Sequence, residues 1–213
     1  MEKEIIYVGD PLCGWCYGFT DVFEKVISKY SDTAKISIVM GGLKVEDSIF
    51  INKKVKKLIS KNWVTVMDKT GQTFAVDSIN NLPEGEYNSE PPCRAVVTMR
   101  ELKPEVAYSF YKDLHMAMYR HTKNNTDPKL FSNLARHYGV TIDEFTQSYN
   151  SEEMKARTQL DFEYSKKSGV LGFPAFVLKD DEGLFVLNQG YKSYEMIEKG
   201  IDGWLKGEKA ILF

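Results

Sequence analysis

Cys13-Gly14-Trp15-Cys16 places two thiols two residues apart. The pair follows an apolar stretch, Ile5-Ile6-Tyr7-Val8, and a break at Gly9-Asp10-Pro11, and it opens a segment of helical spacing. Cysteines so placed can form an easily reduced disulfide. A helix N-terminus stabilises the thiolate of the first cysteine, and the thiolate is the reactive species. Cys13, at the helix tip, is the expected exposed nucleophile. Cys16, one turn further in, is the expected buried, resolving thiol. The chemistry is thiol–disulfide exchange through a mixed disulfide. A zinc site would need two more ligands with suitable spacing, and Cys93 and the three histidines supply no ligand pair. No metal is expected.

Composition narrows the setting. A chain of 213 residues with 43% hydrophobic and 27% charged content supports a solvated globule with a real core. The net charge of −2 gives no bulk pull toward nucleic acid or an anionic membrane. No apolar run is long enough to span a bilayer. Three cysteines, Cys13, Cys16 and Cys93, are too few for a disulfide-stapled secreted fold. With no secretory signal visible, the expected compartment is the reducing cytoplasm.

The elements that must hold the thiols are readable in outline. Residues near 4–9 predict a buried strand. Residues 13–30 predict one helix with Val22, Phe23, Val26, Ile27 and Tyr30 on a single face. Lys35 to Met40 alternates as a second strand, ended by Gly41-Gly42. This strand–helix–strand unit should form a parallel pair. From about 47 to 168 the pattern is mostly helical, irregular around Gly71 and from Asn80 to Pro92. Helix starts are expected at Ser89 or Glu90, at Thr126-Asp127-Pro128 and near Ser151, and helix ends at Gly139 and Gly169. Pro174 to Leu178 and Leu184 to Leu187 read as a hairpin, and residues near 193–206 as a final amphipathic helix. The order is that of an α/β thioredoxin fold with a helical domain in its middle. Residues 1–43 and 169–213 would form the thioredoxin-like part and 44–168 the insertion.

Asp10-Pro11-Leu12-Cys13-Gly14-Trp15-Cys16-Tyr17-Gly18-Phe19 resembles the active-site segment of the DsbA family of thiol–disulfide oxidoreductases. Within it, Glu90 to Val97, Gly172-Phe173-Pro174 and Gln189-Gly190-Tyr191 are similar to the branch related to the frenolicin-biosynthesis protein. The resemblance implies the same assignment of Cys13 as nucleophile and Cys16 as resolving thiol. It also implies a cis Pro174 facing the active site, with the Phe173 backbone aimed at substrate in strand-like pairing. Strongly oxidising members carry a histidine between the cysteines. Gly14-Trp15 offers none, so a less extreme thiol is expected. Members often carry a buried acid six residues before the first cysteine, where this chain has Tyr7. Asp10 is the nearby acid, either a substitute for it or a cap of the turn. Trp15 is expected to be exposed between the cysteines, where it contacts substrate and packs over the disulfide. Cys93 is either a small buried hydrophobe or a second redox contact.

Other features carry less. Lys53-Lys54-Val55-Lys56-Lys57 reads as the solvated face of a helix whose apolar side is down. His115, His121 and His137 have no companion nucleophile in register. The Asn124-Asn125-Thr126 sequon is uninformative without a signal peptide. Three functions are compatible with the pattern. The first is an oxidoreductase acting on protein or small-molecule thiols and needing no cofactor beyond its own disulfide, with glutathione as a candidate co-substrate. The second is a glutathione-dependent transferase or isomerase of the kappa or 2-hydroxychromene-2-carboxylate isomerase type. Those proteins usually have serine at the position of Cys13 and lack the second cysteine. The third is a non-enzymatic adaptor that delivers clients to a protease.

Overall fold

The structure is a computed structural model that describes residues 3–208. The outermost residues of the expected thioredoxin-like part, 1–2 and 209–213, lie outside the described residues. Strand β1 (Glu4–Gly9) is almost wholly apolar and buried, which suits a strand with neighbours on both edges. It pairs in parallel with β2 (Lys35–Met40), Glu4 opposite Lys35 and Gly9 opposite Met40. On its other edge it pairs antiparallel with β5 (Ala175–Asp180), which continues antiparallel to β6 (Gly183–Val186). The sheet order is β2-β1-β5-β6. This mixed sheet, with helices around it, is the thioredoxin fold.

The crossover from β1 to β2 is two helices rather than the single one expected. Helix α1 (Gly14–Gly18) ends at Phe19, and α2 (Thr20–Tyr30) starts there. Phe19 closes α1 by donating its N–H to the Cys16 and Tyr17 carbonyls. Helix α3 (Lys53–Thr70) packs so close to Gly18 that a Cβ there would sit 2.7 Å from Val66 and 2.9 Å from Thr70.

Helices α4 (Glu90–Leu102), α5 (Ala107–Tyr119), α6 (Pro128–His137), α7 (Ile142–Tyr149) and α8 (Glu152–Lys167) follow before β5. Asp127 and Ser151 cap α6 and α8 through their side chains. Two strands were not expected, one in the stretch read as helical and one in the stretch from Asn80 to Pro92 read as irregular. Ile49–Ile51 (β3) and Gly85–Tyr87 (β4) form a short antiparallel ribbon, each too brief to show a two-residue period. Lys56 also departs from the solvated-face expectation. It is 5% exposed, and its Nζ donates to the Asn80 carbonyl at 3.1 Å and lies 3.7 Å from Glu84. Helix α9 (Tyr194–Leu205) closes the described chain.

One core cluster runs from β1 (Ile5, Tyr7) through α2 (Phe23, Val26) into α4 (Val96, Met99), α5 (Phe110, Leu114) and α7 (Phe145). A second, aromatic cluster lies where α1, α3 and α5 meet and contains Tyr17, Trp63, Phe74 and Tyr119. Helices α4, α5 and α7 therefore share their interior with the sheet. Arg100 on α4 clamps Asp161 on α8 through both carboxylate oxygens, at 2.8 and 3.0 Å. The same carboxylate accepts the N–H of Met40 at the end of β2. No helix among the described residues is long and apolar enough to cross a membrane.

Candidate functional site

The two thiols sit at the carboxyl end of β1. The chain turns there because Asp10 accepts the Leu12 N–H at 2.8 Å through its side chain, while its carbonyl accepts the Cys13 N–H at 3.0 Å. Cys13 is the N-cap of α1. Its Sγ occupies the place of a capping oxygen and accepts the Cys16 N–H at 3.2 Å. A sulfur that accepts an otherwise unpaired helix N–H is held where negative charge is stabilised. Cys13 Sγ also lies 3.9 Å from the Phe173 carbonyl, and the Phe173–Pro174 peptide is cis.

Cys13 is only 5% exposed, a correction to the exposed nucleophile expected from the sequence. The Phe173 segment that lies against its sulfur is 160 positions away in the chain. Cys16 is buried, and burial pushes its thiol well above the usual range, with Cys13 beside it adding to the shift. The pair is therefore asymmetric, one sulfur at the helix tip and one held protonated within.

Asp10 takes the capping role, one of the two expected for it. It caps the turn and is also fully buried. Oδ1 accepts Leu12 N–H and the Ser89 hydroxyl, at 2.8 and 3.1 Å. Oδ2 accepts Leu43 N–H at 2.7 Å and faces the Cys93 thiol at 3.5 Å. Burial raises the carboxyl from its ordinary range, and the four donors hold it back. Cys93 is likewise buried, with its thiol pushed well up by burial and by Asp10. Its thiol meets Asp10, and it forms no disulfide with Cys13 or Cys16. Tyr7, where the family often has an acid, stacks on Phe23 at 4.3 Å and places its hydroxyl 3.4 Å from that of Tyr111.

Three supporting residues were not recognised from the sequence. His115 on α5 is buried, and its Nε2 lies 3.0 Å from the Asp10 carbonyl. A carbonyl only accepts, so Nε2 carries the proton, and burial lowers the imidazole pKa to about 4. Asn125, dismissed as part of a sequon, is buried and donates to the Pro11 carbonyl at 2.9 Å. Ser89 passes a hydrogen bond onward by accepting Lys44 N–H while donating to Asp10. The one available signal was a histidine four residues from Tyr111 and from Tyr119 on an apolar helix.

Trp15 is half-buried rather than exposed, with its ring 6.1 Å from Tyr191. The two aromatics line an open cleft of about 510 Å³ together with Phe173, Gly190, and Thr65, Asp68 and Lys69 of α3. Cys13, Cys16, Trp15, Phe173 and Pro174 thus converge on one end of the sheet, with Asp10 and Cys93 beneath it. Among the described residues, no group of histidine, cysteine and acidic side chains could hold a metal.

A thioredoxin sheet with a dithiol at a helix tip and a cis-proline segment beside it defines the class. The chain belongs to the family of DSBA-like thioredoxin domains, whose profile matches residues 4–202. Its structure is similar to that of a provisionally assigned protein disulfide isomerase from Nitrosomonas europaea. The TM-score is 0.88 and the identity 29%, over 97% of this chain and 99% of that one. The cytosolic disulfide reductase DsbM from Pseudomonas aeruginosa shares the fold, with a TM-score of 0.74 and 20% identity over 96% of both chains. Among curated proteins, the ClpXP adapter protein SpxH of Halalkalibacterium halodurans is 24% identical over 190 residues. That match takes in 86% of this chain but 62% of the relative, so the chain spans under two thirds of the relative's length.

Proposed function

We propose that this protein is a thiol–disulfide oxidoreductase, with Cys13 as nucleophile and Cys16 as resolving thiol. The observation that carries the reading is the Cys13 sulfur, which accepts the Cys16 N–H at the tip of α1 opposite the Phe173 carbonyl. In the reducing direction, the Cys13 thiolate attacks one sulfur of a substrate disulfide. The substrate S–S bond breaks, a mixed disulfide forms and the first substrate thiolate leaves. Cys16 then gives up its proton and attacks Cys13 Sγ, releasing the second substrate thiolate and closing the Cys13–Cys16 disulfide. The substrate gains two electrons and the dithiol loses them, and the protons of the two cysteines end on the departing thiols. The oxidising direction is the reverse.

Phe173 and Pro174 position the substrate chain beside Cys13, and Trp15 supplies apolar contact area. The exchange needs no bound cofactor. Glutathione is the candidate small co-substrate, a reading supported by the cleft beside Trp15 and by the DsbM structure solved with GSH. The DsbM neighbour, described as cytosolic, also favours a reducing compartment.

The test is trapping by Cys16→Ser. That variant should accumulate mixed disulfides through Cys13, and Cys13→Ser should abolish insulin reduction and oxidative refolding. Unchanged activity in Cys13→Ser would sink the reading. The direction of exchange follows from equilibration with a glutathione buffer. A potential near −120 to −200 mV indicates a donor or isomerase, and one near −270 mV a reductant.

A further inference from the structure

Helix α3 carries six lysines against one aspartate, in a chain whose net charge is −2. Its first turn contains no acid, although lysines there oppose the positive end of the helix dipole. Helices α7 and α8 show the usual arrangement, with Asp143-Glu144 and Glu152-Glu153 in their first turns. Four of the six lysines have a specific spacing. Lys53, Lys57, Lys61, Thr65 and Lys69 recur every fourth residue and are all exposed, so they form one ridge along the helix. Like charges at this spacing repel. Among the described residues, none of these lysines has an ion-pair partner, while Lys29, Lys112, Lys155, Lys166 and Lys167 elsewhere on the surface each pair with an acid.

The ridge leads to the dithiol. Thr65 and Lys69 line the cleft with Trp15 and Phe173, and Asn62 on the same helix comes close to Gly14. From Lys53 to Lys69 the ridge rises about 24 Å along the helix axis at about 1.5 Å per residue, and its four-residue steps carry it about 160° around the helix, diagonally across the exposed face. An extended segment that follows this diagonal needs more than about seven residues.

We infer that the lysine ridge of α3 is a docking track for an acidic, extended polypeptide segment flanking the substrate cysteine, which it guides into the cleft at Cys13. This rests on the oxidoreductase reading and names its substrate class as acidic polypeptides. Asp68 lines the cleft beside Lys69 but is the one acid of α3, so the charge of the helix stays positive. A net charge of one sign beside a reactive site raises the local concentration of oppositely charged partners and speeds their encounter. It also selects against basic ones.

The test uses the whole protein and three disulfide substrates: a peptide with a run of aspartates beside its cysteine, the same peptide with lysines, and oxidised glutathione. The variant is Lys53→Gln/Lys57→Gln/Lys61→Gln, which leaves the cleft residue Lys69 in place. Three exposed ion pairs make the expected loss about tenfold in kcat/KM for the acidic peptide, or about 1.4 kcal/mol, chiefly through KM. The basic peptide should react as fast or faster, and oxidised glutathione at an unchanged rate. Salt should erase the acidic preference of the wild-type protein. The variant should unfold no earlier than wild type, since like-charge repulsion has been removed. Equal rates for the acidic and basic peptides in the wild-type protein would overturn the track and leave the oxidoreductase reading intact. If no substrate is turned over, binding of the reduced acidic peptide to Cys13→Ser still reads the ridge. Salt-sensitive binding lost in the lysine variant supports it. Binding only to vesicles of phosphatidylglycerol and phosphatidylcholine, or only to a single-stranded oligonucleotide, overturns it.

Discussion

Replacing Gly41 by alanine tests the link between the end of β2 and the segment that faces Cys13. Gly41 has no side chain because the Phe173 ring occupies the space. A Cβ there would lie 2.2 Å from Cε1, 2.3 Å from Cζ and 2.9 Å from Cδ1 of that ring. Carbon atoms in contact prefer about 3.5 Å or more, so the ring must retreat by about 1.3 Å. Overpacking of this kind costs about 1–3 kcal/mol. In a chain of this size each kcal/mol moves the midpoint by about 2–4 °C, so a fall of about 2–12 °C is expected. Exchange should suffer as well, because the ring belongs to the residue whose carbonyl lies 3.9 Å from Cys13 Sγ. A displacement near 1 Å in a positioned group can cost about a hundredfold in rate. The assay is urea and thermal unfolding, with insulin reduction in parallel, on Gly41→Ala, Phe173→Ala and the double variant. Truncating the ring removes the clash, so the double variant should be less destabilised than the summed single variants by about 1–2 kcal/mol. Additive single variants, or a Gly41→Ala protein that unfolds with wild type, would refute the steric argument.

Three further outcomes follow from the same site. Gly14→Ala should hold or raise stability by up to about 1 kcal/mol, because a Cβ there meets nothing closer than 3.7 Å and glycine is a poor helix former; a lowered thermal midpoint would contradict this. Asp10→Asn should destabilise by about 1–3 kcal/mol in urea titrations. Each Asp10 oxygen accepts a backbone N–H, from Leu12 or Leu43, so either orientation of the amide sets its NH2 against a donor. His115→Gln should flatten the pH dependence of stability between about 4 and 6.5. The buried imidazole holds a pKa of about 4, so across that window the unfolded chain binds a proton the folded one lacks. Wild-type stability should therefore fall as pH drops from 6.5 to 4 with a slope of up to about one proton, and a variant with the same slope would exclude His115 as its source.

Local patterns made the fold legible. The apolar run of β1, the alternation in β2, the proline-initiated hairpin and the side-chain caps at Asp127 and Ser151 depend on neighbours in sequence, and each stands where its residues indicate. What escaped depends on partners far along the chain. The break at Phe19 lies beside the point where α3, some fifty residues later, packs against Gly18. The ribbon of β3 and β4 joins two three-residue strands, each without a readable period. At the site, the thiols and the proline announced themselves by type and spacing. His115 left only its place on an apolar helix and Asn125 nothing, because a bond to a carbonyl of the Asp10-Pro11 turn is made by residues far along the chain. The burial of Cys13 was also unreadable, since the segment against its sulfur is brought there by the fold.

Asp10 sets a schedule for the site. Its partners Ser89 and Cys93 lie 79 and 83 positions downstream, the histidine on its carbonyl 105, and the asparagine on the adjoining carbonyl is 114 positions from Pro11. A ribosome adding about 5–20 residues per second therefore exposes Cys13 and Cys16 for several seconds before the groups that shape their turn are made. During that interval the two thiols belong to an unfinished chain, and their reactivity is that of ordinary cysteines. The nascent protein is thus a substrate for the exchange chemistry around it before it acquires a site of its own.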